Sequence, residues 1–149
     1  MSLDCVGQLA EIGGRLRAEG YIDILENVLL PSTRAVFADG DRFHIYLAQD
    51  NSPIHTARIV RDWFARHPEI TLIDWPAKSP DLNPIENLWA DLSKRWLGYP
   101  GRCRRELFTT VNELWEALRL DPDITQRLVQ AMHRRLGYVI TARGSYTKY

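Results

Sequence analysis

Two carboxylates stand at positions where a protein can hold a divalent cation. Asp50 follows an apolar run at residues 43–48, which predicts a buried strand that ends just before this acid. Glu86 lies just inside a predicted helix, because Asn83 is a suitable N-cap and Pro84 a suitable first residue. Carboxylates at a strand end and on a following helix suit metal-assisted phosphodiester chemistry, in which hard oxygen ligands hold two Mg²⁺ ions about 4 Å apart.

Both acids also have ordinary structural explanations. An Asp-Asn pair such as Asp50-Asn51 favours a turn after a strand. Asn83 and Glu86 have the spacing of a capping-box-like pair, in which the Glu side chain returns to the N-cap amide. Capping and metal binding compete for the same carboxylate, so spacing alone leaves both interpretations open.

The segments around the two acids resemble a known enzyme family. QDNSPIHTA at residues 49–57 and SPDLNPIENLW at residues 79–89 look like the second and third catalytic blocks of the DDE transposases of the Tc/mariner superfamily. The match is closer to the Tc branch than to mariner proper. The similarity extends from YIDILENVLLPS at residues 21–32 to GSYTKY at residues 144–149.

The resemblance implies that Asp50 and Glu86 are catalytic metal ligands of a two-ion Mg²⁺ (or Mn²⁺) site. In this chain 35 residues separate them, and the family spacing is about one residue shorter. We expect the extra residue in the turn at residues 66–69, because loops tolerate insertions.

Four further residues of the matched blocks are expected to support the two ligands. The family position of His55 is close to the metal site, where it would orient substrate or tune a ligand; a His exposed at a helix start is the alternative. Asn51 would support the turn at Asp50. Asp81 would shape the loop before the helix, and Asn83 would cap that helix.

The resemblance also implies a third carboxylate, which lies upstream of the matched segment in the family. Asp4 aligns with the third strand of the family sheet rather than with the first. We therefore expect a partial catalytic domain truncated at the N-terminus, without the helix-turn-helix domains that read transposon ends. The expected fold is α/β and ribonuclease-H-like, as in DDE transposases and integrases, with a sheet lacking its first two strands and with C-terminal helices. Residues 1–100 would form the core remnant and residues 101–149 the helical part and tail of one domain.

The implied activity is metal-dependent DNA cleavage and strand transfer, as in DNA transposition and integration, with transposon ends and target DNA as partners. With the first Asp missing, this chain alone is expected to be inactive. Two alternatives are a non-catalytic DNA- or protein-binding remnant and a complete enzyme hidden by a truncated gene model. An unpaired strand edge also predicts possible self-association.

The charge of the chain gives only weak evidence about a nucleic-acid partner. Net charge is zero, but residues 101–149 carry nine Lys and Arg against five acids, which hints at polyanion contact. A solvated helical surface explains the same count equally well. The basic candidates for weak DNA contact are Lys94, Arg95, Arg102, Arg104 and Arg105, with Arg134 and Arg135 as further positions.

Cys5 and Cys103 are isolated, and they suggest a reducing compartment. No apolar run approaches the roughly 18 residues that cross a bilayer. We therefore expect a nuclear or cytoplasmic protein that is not secreted and has no membrane partner.

The periodicity of apolar residues predicts the order of elements. Strands are expected at residues 5–12, 43–48 and 70–75. Helices are expected at residues 19–30 (interrupted by Pro31), 52–66, 84–97, 107–118 and 122–136. The five Trp residues are predicted to pack inside the protein.

Overall fold

The computed structural model describes residues 6–39, 42–76, 79–97 and 103–144, with the backbone alone at Asp81. Residues 7–78 form one compact unit, and residues from 79 onward, with Val6, form the other. The elements are α1 (Ala18–Ile24), a π-helix (Leu25–Leu29), α2 (Leu30–Phe37), β1 (Ile45–Ala48), α3 (Arg58–Ala65), β2 (Ile70–Ile73), a 3₁₀-helix (Pro80–Leu82), α4 (Pro84–Trp96), α5 (Arg104–Arg119) and α6 (Pro122–Thr141).

α1, the π-helix and α2 form one continuous helical run, called the first helical run below. It continues through Pro31, so the predicted interruption there is wrong. A proline cannot donate to the preceding turn, and the run accommodates it by widening into the π-helix just upstream. The hydroxyls of Ser32 and Thr33 both donate to the carbonyl of Leu29, at 3.1 and 2.8 Å. These bonds satisfy backbone acceptors beside the irregular turn.

The sheet of the first unit consists of two parallel strands joined through α3. Ile45 pairs with Ile70 and Ala48 with Ile73, which fixes the register. The crossover through a helix is the connection that parallel strands require. The C-terminal end of β1 delivers Gln49 and Asp50, as the sequence predicted.

One face of this sheet packs on the core of the first unit. Ile45 and Leu47 pack against a buried cluster made by the first helical run, α3 and the start of β2: Leu25, Leu30, Val60, Trp63, Phe64 and Ile70. Tyr46, on the opposite face, is 72% exposed. The strand predicted to be buried at residues 43–48 is therefore covered on one face only within the described part of the chain.

The strand predicted at residues 5–12 is absent from the described residues 6–12, and Cys5 lies outside them. A strand requires a hydrogen-bonded neighbour, and both described strands pair only with each other. Self-association through the free edge of β1 stays a prediction.

The helix predicted to open at Ser52-Pro53 begins six residues later, at Arg58. The Ser52 carbonyl accepts from the amides of both His55 and Thr56, at 2.9 and 3.0 Å, and closes a local turn. Ala57 then adopts an extended conformation with ψ of 147°, which separates this turn from α3. The Ser-Pro signature marks a turn here, and His55 lies in that turn rather than in a helix.

The second unit is helical, and its core joins α4, α5 and α6. The buried apolar residues are Leu82, Leu88, Leu92, Trp115, Leu118, Ile124 and Leu128. The rings of Trp89 and Trp115 lie 4.9 Å apart between centroids and pack α4 against α5. Trp63 and Trp115 are buried as predicted, whereas Trp89 is partly exposed. The division of the domain at residue 100 remains a prediction.

Asn83 caps α4 as predicted, and Asp121 caps α6 in the same way. Asn83 Oδ1 accepts from the Ile85 amide at 3.3 Å, and Asp121 Oδ1 accepts from the Asp123 amide at 3.1 Å. Among the described residues no helix is long and apolar enough to cross a membrane.

Leu118→Ala should destabilise the second unit by about 2–5 kcal/mol, because it opens a cavity at a side chain that is 0% exposed. Leu120→Ala is the matched control, since Leu120 ends the same helix and is 81% exposed. Its cost should stay within about 0.5 kcal/mol. Denaturant unfolding and amide hydrogen exchange measure both, and equal losses in the two variants would contradict this packing.

Candidate active site

Asp50 is fixed by a turn that uses only one of its carboxylate oxygens. Asp50 Oδ1 accepts from the Ser52 amide at 3.0 Å, and His55 Nδ1 lies 2.7 Å from the same oxygen. His55 Nδ1 also lies 3.3 Å from the Asp50 carbonyl, which fits a proton on Nδ1 that is shared between these acceptors. Among the described residues Oδ2 has no hydrogen bond or ion pair, and the Asp50 side chain is 70% exposed.

The turn interpretation and the ligand interpretation of Asp50 are therefore compatible. Oδ1 shapes the turn and holds His55, while Oδ2 stays open to solvent and able to bind a cation. Asn51 Nδ2 donates to the Trp75 carbonyl at 3.3 Å, so it ties the turn after β1 to the segment after β2. The structure thus brings Asp50, Asn51 and His55 together.

Tyr21 of α1 supports the same turn, although no pattern in the sequence points to it. Its hydroxyl donates to Gln49 Oε1 at 2.6 Å, and its ring centroid lies 4.3 Å from that of His55. Burial, followed by the negative charge of Asp50, raises the pKa of Tyr21 from 10.0 to about 12. Tyr21 is the first residue of the segment YIDILENVLLPS, which resembles the family. No spacing rule, however, connects Tyr21 to Gln49, which lies 28 positions further along the chain.

Glu86 lies in the exposed first turn of α4 and takes no part in a capping box. The Asn83 amide donates to the Pro80 carbonyl at 3.0 Å, so the donor that a capping box would use is already bonded. Within the described part of the chain the Glu86 carboxylate has no hydrogen bond or ion pair. The helix N-terminus favours its negative charge.

Asp50 belongs to the first unit and Glu86 to the second. Each carboxylate is therefore described within its own unit, and the shared two-ion site remains a prediction. The described residues contain no group of three acidic, His or Cys side chains that could hold a metal ion. The side chain of Asp81 lies outside the described residues, although its backbone forms part of the 3₁₀-helix.

The predicted DNA-contacting cations lie mostly on the surface. Lys94 Nζ is 3.7 Å from Asp91 Oδ1, and Arg95 is 4.0 Å from Asp121 Oδ2. Surface ion pairs of this kind contribute at most about 1 kcal/mol, so they hold these side chains only weakly. Arg104 and Arg105 are exposed at the start of α5, and Arg102 lies outside the described residues.

Arg135 contradicts the prediction of an exposed basic pair at residues 134–135, because its side chain is buried and only 4% of the residue is exposed. Arg134 lies on the open side of α6, beside Arg127 and Gln130. Only Arg134 of this pair therefore stays a candidate for contact with a polyanion.

Folding stability should fall between about pH 10 and pH 12 by on the order of 2 kcal/mol because of Tyr21. The folded state disfavours the tyrosinate, so the unfolded chain loses its proton first. The contribution of Tyr21 to the free energy of unfolding is complete below pH 10 and is lost as the pH rises through about 12. Tyr21→Phe should flatten this part of the curve, and Tyr46→Phe on β1 is the control. Urea unfolding at pH 9 and pH 11.5 measures the difference; an unchanged slope in Tyr21→Phe would contradict it.

Comparison with known proteins identifies the family. The DDE superfamily endonuclease family matches residues 8–107. The transposable element Tcb1 transposase of Caenorhabditis briggsae is 37% identical over 144 residues, which are 97% of this chain and 50% of that protein. The Tc1 transposase of Caenorhabditis elegans is 35% identical over 144 residues, again 97% and 50%. The chain spans about half the length of the curated relatives that it matches.

The fold is that of a transposase catalytic domain. The crystal structure of the catalytic domain of Mos1 mariner transposase matches with a TM-score of 0.84 at 22% identity, over 98% of this chain and 72% of that one. This match confirms the ribonuclease-H-like α/β class with a small sheet and C-terminal helices. Solved Mos1 structures also include the catalytic domain with raltegravir and Mg, a form with Mn, and a paired-end complex with the left transposon end.

Three observations agree with one another: the matched sequence blocks around Asp50 and Glu86, the strand that ends just before Asp50, and the matches with known proteins. The chain belongs to the DDE superfamily endonucleases, and it corresponds to the C-terminal part of the catalytic domain of the Tc/mariner transposases.

Proposed function

We propose that this chain supplies two carboxylate ligands, Asp50 and Glu86, to the catalytic centre of a DDE transposase that cleaves and joins DNA. The observation that carries the proposal is the Asp50 carboxylate. It stands at the end of β1 with Oδ1 held by His55 and Oδ2 open. A turn residue with no further role has no need of a histidine on the same oxygen.

The donor set fits a hard divalent cation. Asp50 and Glu86 offer exposed carboxylate oxygens, which Mg²⁺ and Mn²⁺ prefer. Bound ions of this kind stabilise the attacking and leaving oxygens of a phosphodiester. The chain's own contribution is to fix Asp50 before binding, because His55 and the Ser52 amide restrict its rotation. The Mg- and Mn-containing Mos1 structures support this choice of metal.

DNA is the proposed partner, with transposon ends and target DNA as its two forms. The Mos1 paired-end complex supports the first of these by family relationship. In this chain Arg104, Arg105 and Arg134 are exposed cations. Contacts of these guanidinium groups with phosphates would position the duplex without reading its sequence. A DNA partner would be met in the nucleus or the cytoplasm, which is the location that we propose.

Mn²⁺ should bind the purified chain weakly, and both carboxylates should be required. Two carboxylates replace few of the waters that a hard cation loses, so a dissociation constant near the millimolar range of weak Ca²⁺ modules, about 10⁻⁴–10⁻³ M, is expected. Asp50→Asn and Glu86→Gln should each weaken binding at least about tenfold. Electron paramagnetic resonance of free Mn²⁺ measures this.

Asp62→Asn and Glu113→Gln are the matched controls for the metal titration. Asp62 is exposed on α3 and pairs only with Arg58, at 3.8 Å, and Glu113 is exposed on α5. Both controls should bind Mn²⁺ as the unmodified chain does. Equal binding in all five proteins would sink the proposed metal site.

The 149-residue polypeptide should not nick supercoiled plasmid in Mg²⁺ or Mn²⁺. The family site uses three carboxylates, and this chain supplies two of them, so charge is missing where the transition state develops it. Gel electrophoresis of the plasmid after incubation is the measurement. Nicking that disappears in Glu86→Gln would show that another acid of this chain replaces the third ligand.

A further inference from the structure

We propose that Tyr21 is a positioning residue for Asp50, acting through His55. The inference deepens the proposed function and rests on Asp50 being a metal ligand. Tyr21 contacts neither the reacting atoms nor the open oxygen of Asp50. It fixes the orientation of the residue that holds the other oxygen.

The first contact is made by the hydroxyl of Tyr21. It donates to Gln49 Oε1 at 2.6 Å, a short bond that joins α1 to the residue directly before Asp50. Gln49 follows the last residue of β1, so this bond fixes the hydroxyl end of Tyr21 and with it the position of the ring that contacts His55. Most of the Tyr21 side chain is buried, and a buried hydroxyl requires a partner.

The second contact is made by the ring. The Tyr21 and His55 ring centroids are 4.3 Å apart with an interplanar angle of 37°. This contact covers one side of the imidazole, whose side chain is only 20% exposed. The ring of Tyr21 therefore limits rotation of His55 about its side-chain bonds.

The third contact joins His55 to Asp50, the proposed metal ligand. His55 Nδ1 lies 2.7 Å from Asp50 Oδ1, on the oxygen that also receives the Ser52 amide. Two donors on Oδ1 restrict the rotation of the carboxylate, and with it the position of Oδ2. Partners that orient a ligand in this way typically change metal affinity by about 10–100-fold when they are removed.

A purely structural role for Tyr21 makes a different prediction. Tyr21 also packs beside the core that contains Leu25 and Trp63. If packing were its whole contribution, its removal would lower stability, and its effect on metal binding would be independent of His55. A positioning role requires instead that Tyr21 matter only while His55 is present.

The first measurement is made without metal, on the full chain labelled with ¹⁵N in histidine. Assignment of the four histidines uses His55→Ala. The unmodified chain should show a protected Nδ1–H at His55. Tyr21→Leu should lose that protection and give the tautomer mixture of a free imidazole. Tyr46→Leu is the control, because Tyr46 lies on the exposed face of β1 and its ring contacts that of His44.

The second measurement is the Mn²⁺ dissociation constant of the same proteins. Tyr21→Leu should raise it about tenfold, approaching His55→Ala, and Tyr46→Leu should leave it unchanged. Adding Tyr21→Leu to His55→Ala should produce no further loss. Tyr21→Phe keeps the ring and loses only the bond to Gln49, so it should weaken binding in the same direction by a smaller factor.

The outcomes separate this inference from the proposed function. Unchanged His55 protection in Tyr21→Leu, or additive losses in the double variant, would overturn the positioning role. If Asp50→Asn binds Mn²⁺ normally, the metal-ligand proposal fails, whereas the metal-free His55 signal still tests the contact. If Tyr21→Leu does not fold, Tyr21→Phe decides: Nδ1–H exchange and Mn²⁺ affinity that match the unmodified chain would overturn the inference.

Discussion

The hydrogen bond between His55 and Asp50 is the interaction on which the candidate site depends. It links residues five positions apart, so it lies within a single local turn. Local closure does not fix where the turn points, however. That direction comes from β1, whose inner residues Ile45 and Leu47 pack on the core, and from α1, which touches the turn through Tyr21.

The position of α1 depends in turn on the irregular middle of the first helical run. The π-helix carries Glu26, whose Oε2 accepts from Trp63 Nε1 at 2.9 Å. The Trp63 ring stacks on His67 at 3.8 Å between centroids, at the end of α3. These contacts join the middle of the first helical run to the C-terminal end of α3. The widened turn that accommodates Pro31 thus belongs to the segment that anchors α1 to α3.

The sequence predicted those features that depend on near neighbours. Asn83-Pro84 and Asp121-Pro122 identify helix starts, because a cap and a proline act within one turn. Ser52-Pro53 has the same composition but closes a turn instead. There the Ser52 carbonyl accepts from the amides of His55 and Thr56, but Ala57 is extended and α3 begins only at Arg58. Tyr21 could not be predicted at all, because its contacts with Gln49 and His55 are set by tertiary packing.

The two matched blocks differ in how each carboxylate relates to the backbone of its own turn. In each block a carboxylate could have been consumed by the backbone of its own turn. At Glu86 the 3₁₀-helix prevents this, because the Pro80 carbonyl already accepts the amide of Asn83. At Asp50 the Ser52 amide and His55 converge on Oδ1 and leave Oδ2 open. At Glu86 the Pro80 carbonyl binds the amide that the carboxylate would otherwise cap, whereas at Asp50 one carboxylate oxygen satisfies a backbone amide and the other stays open to solvent.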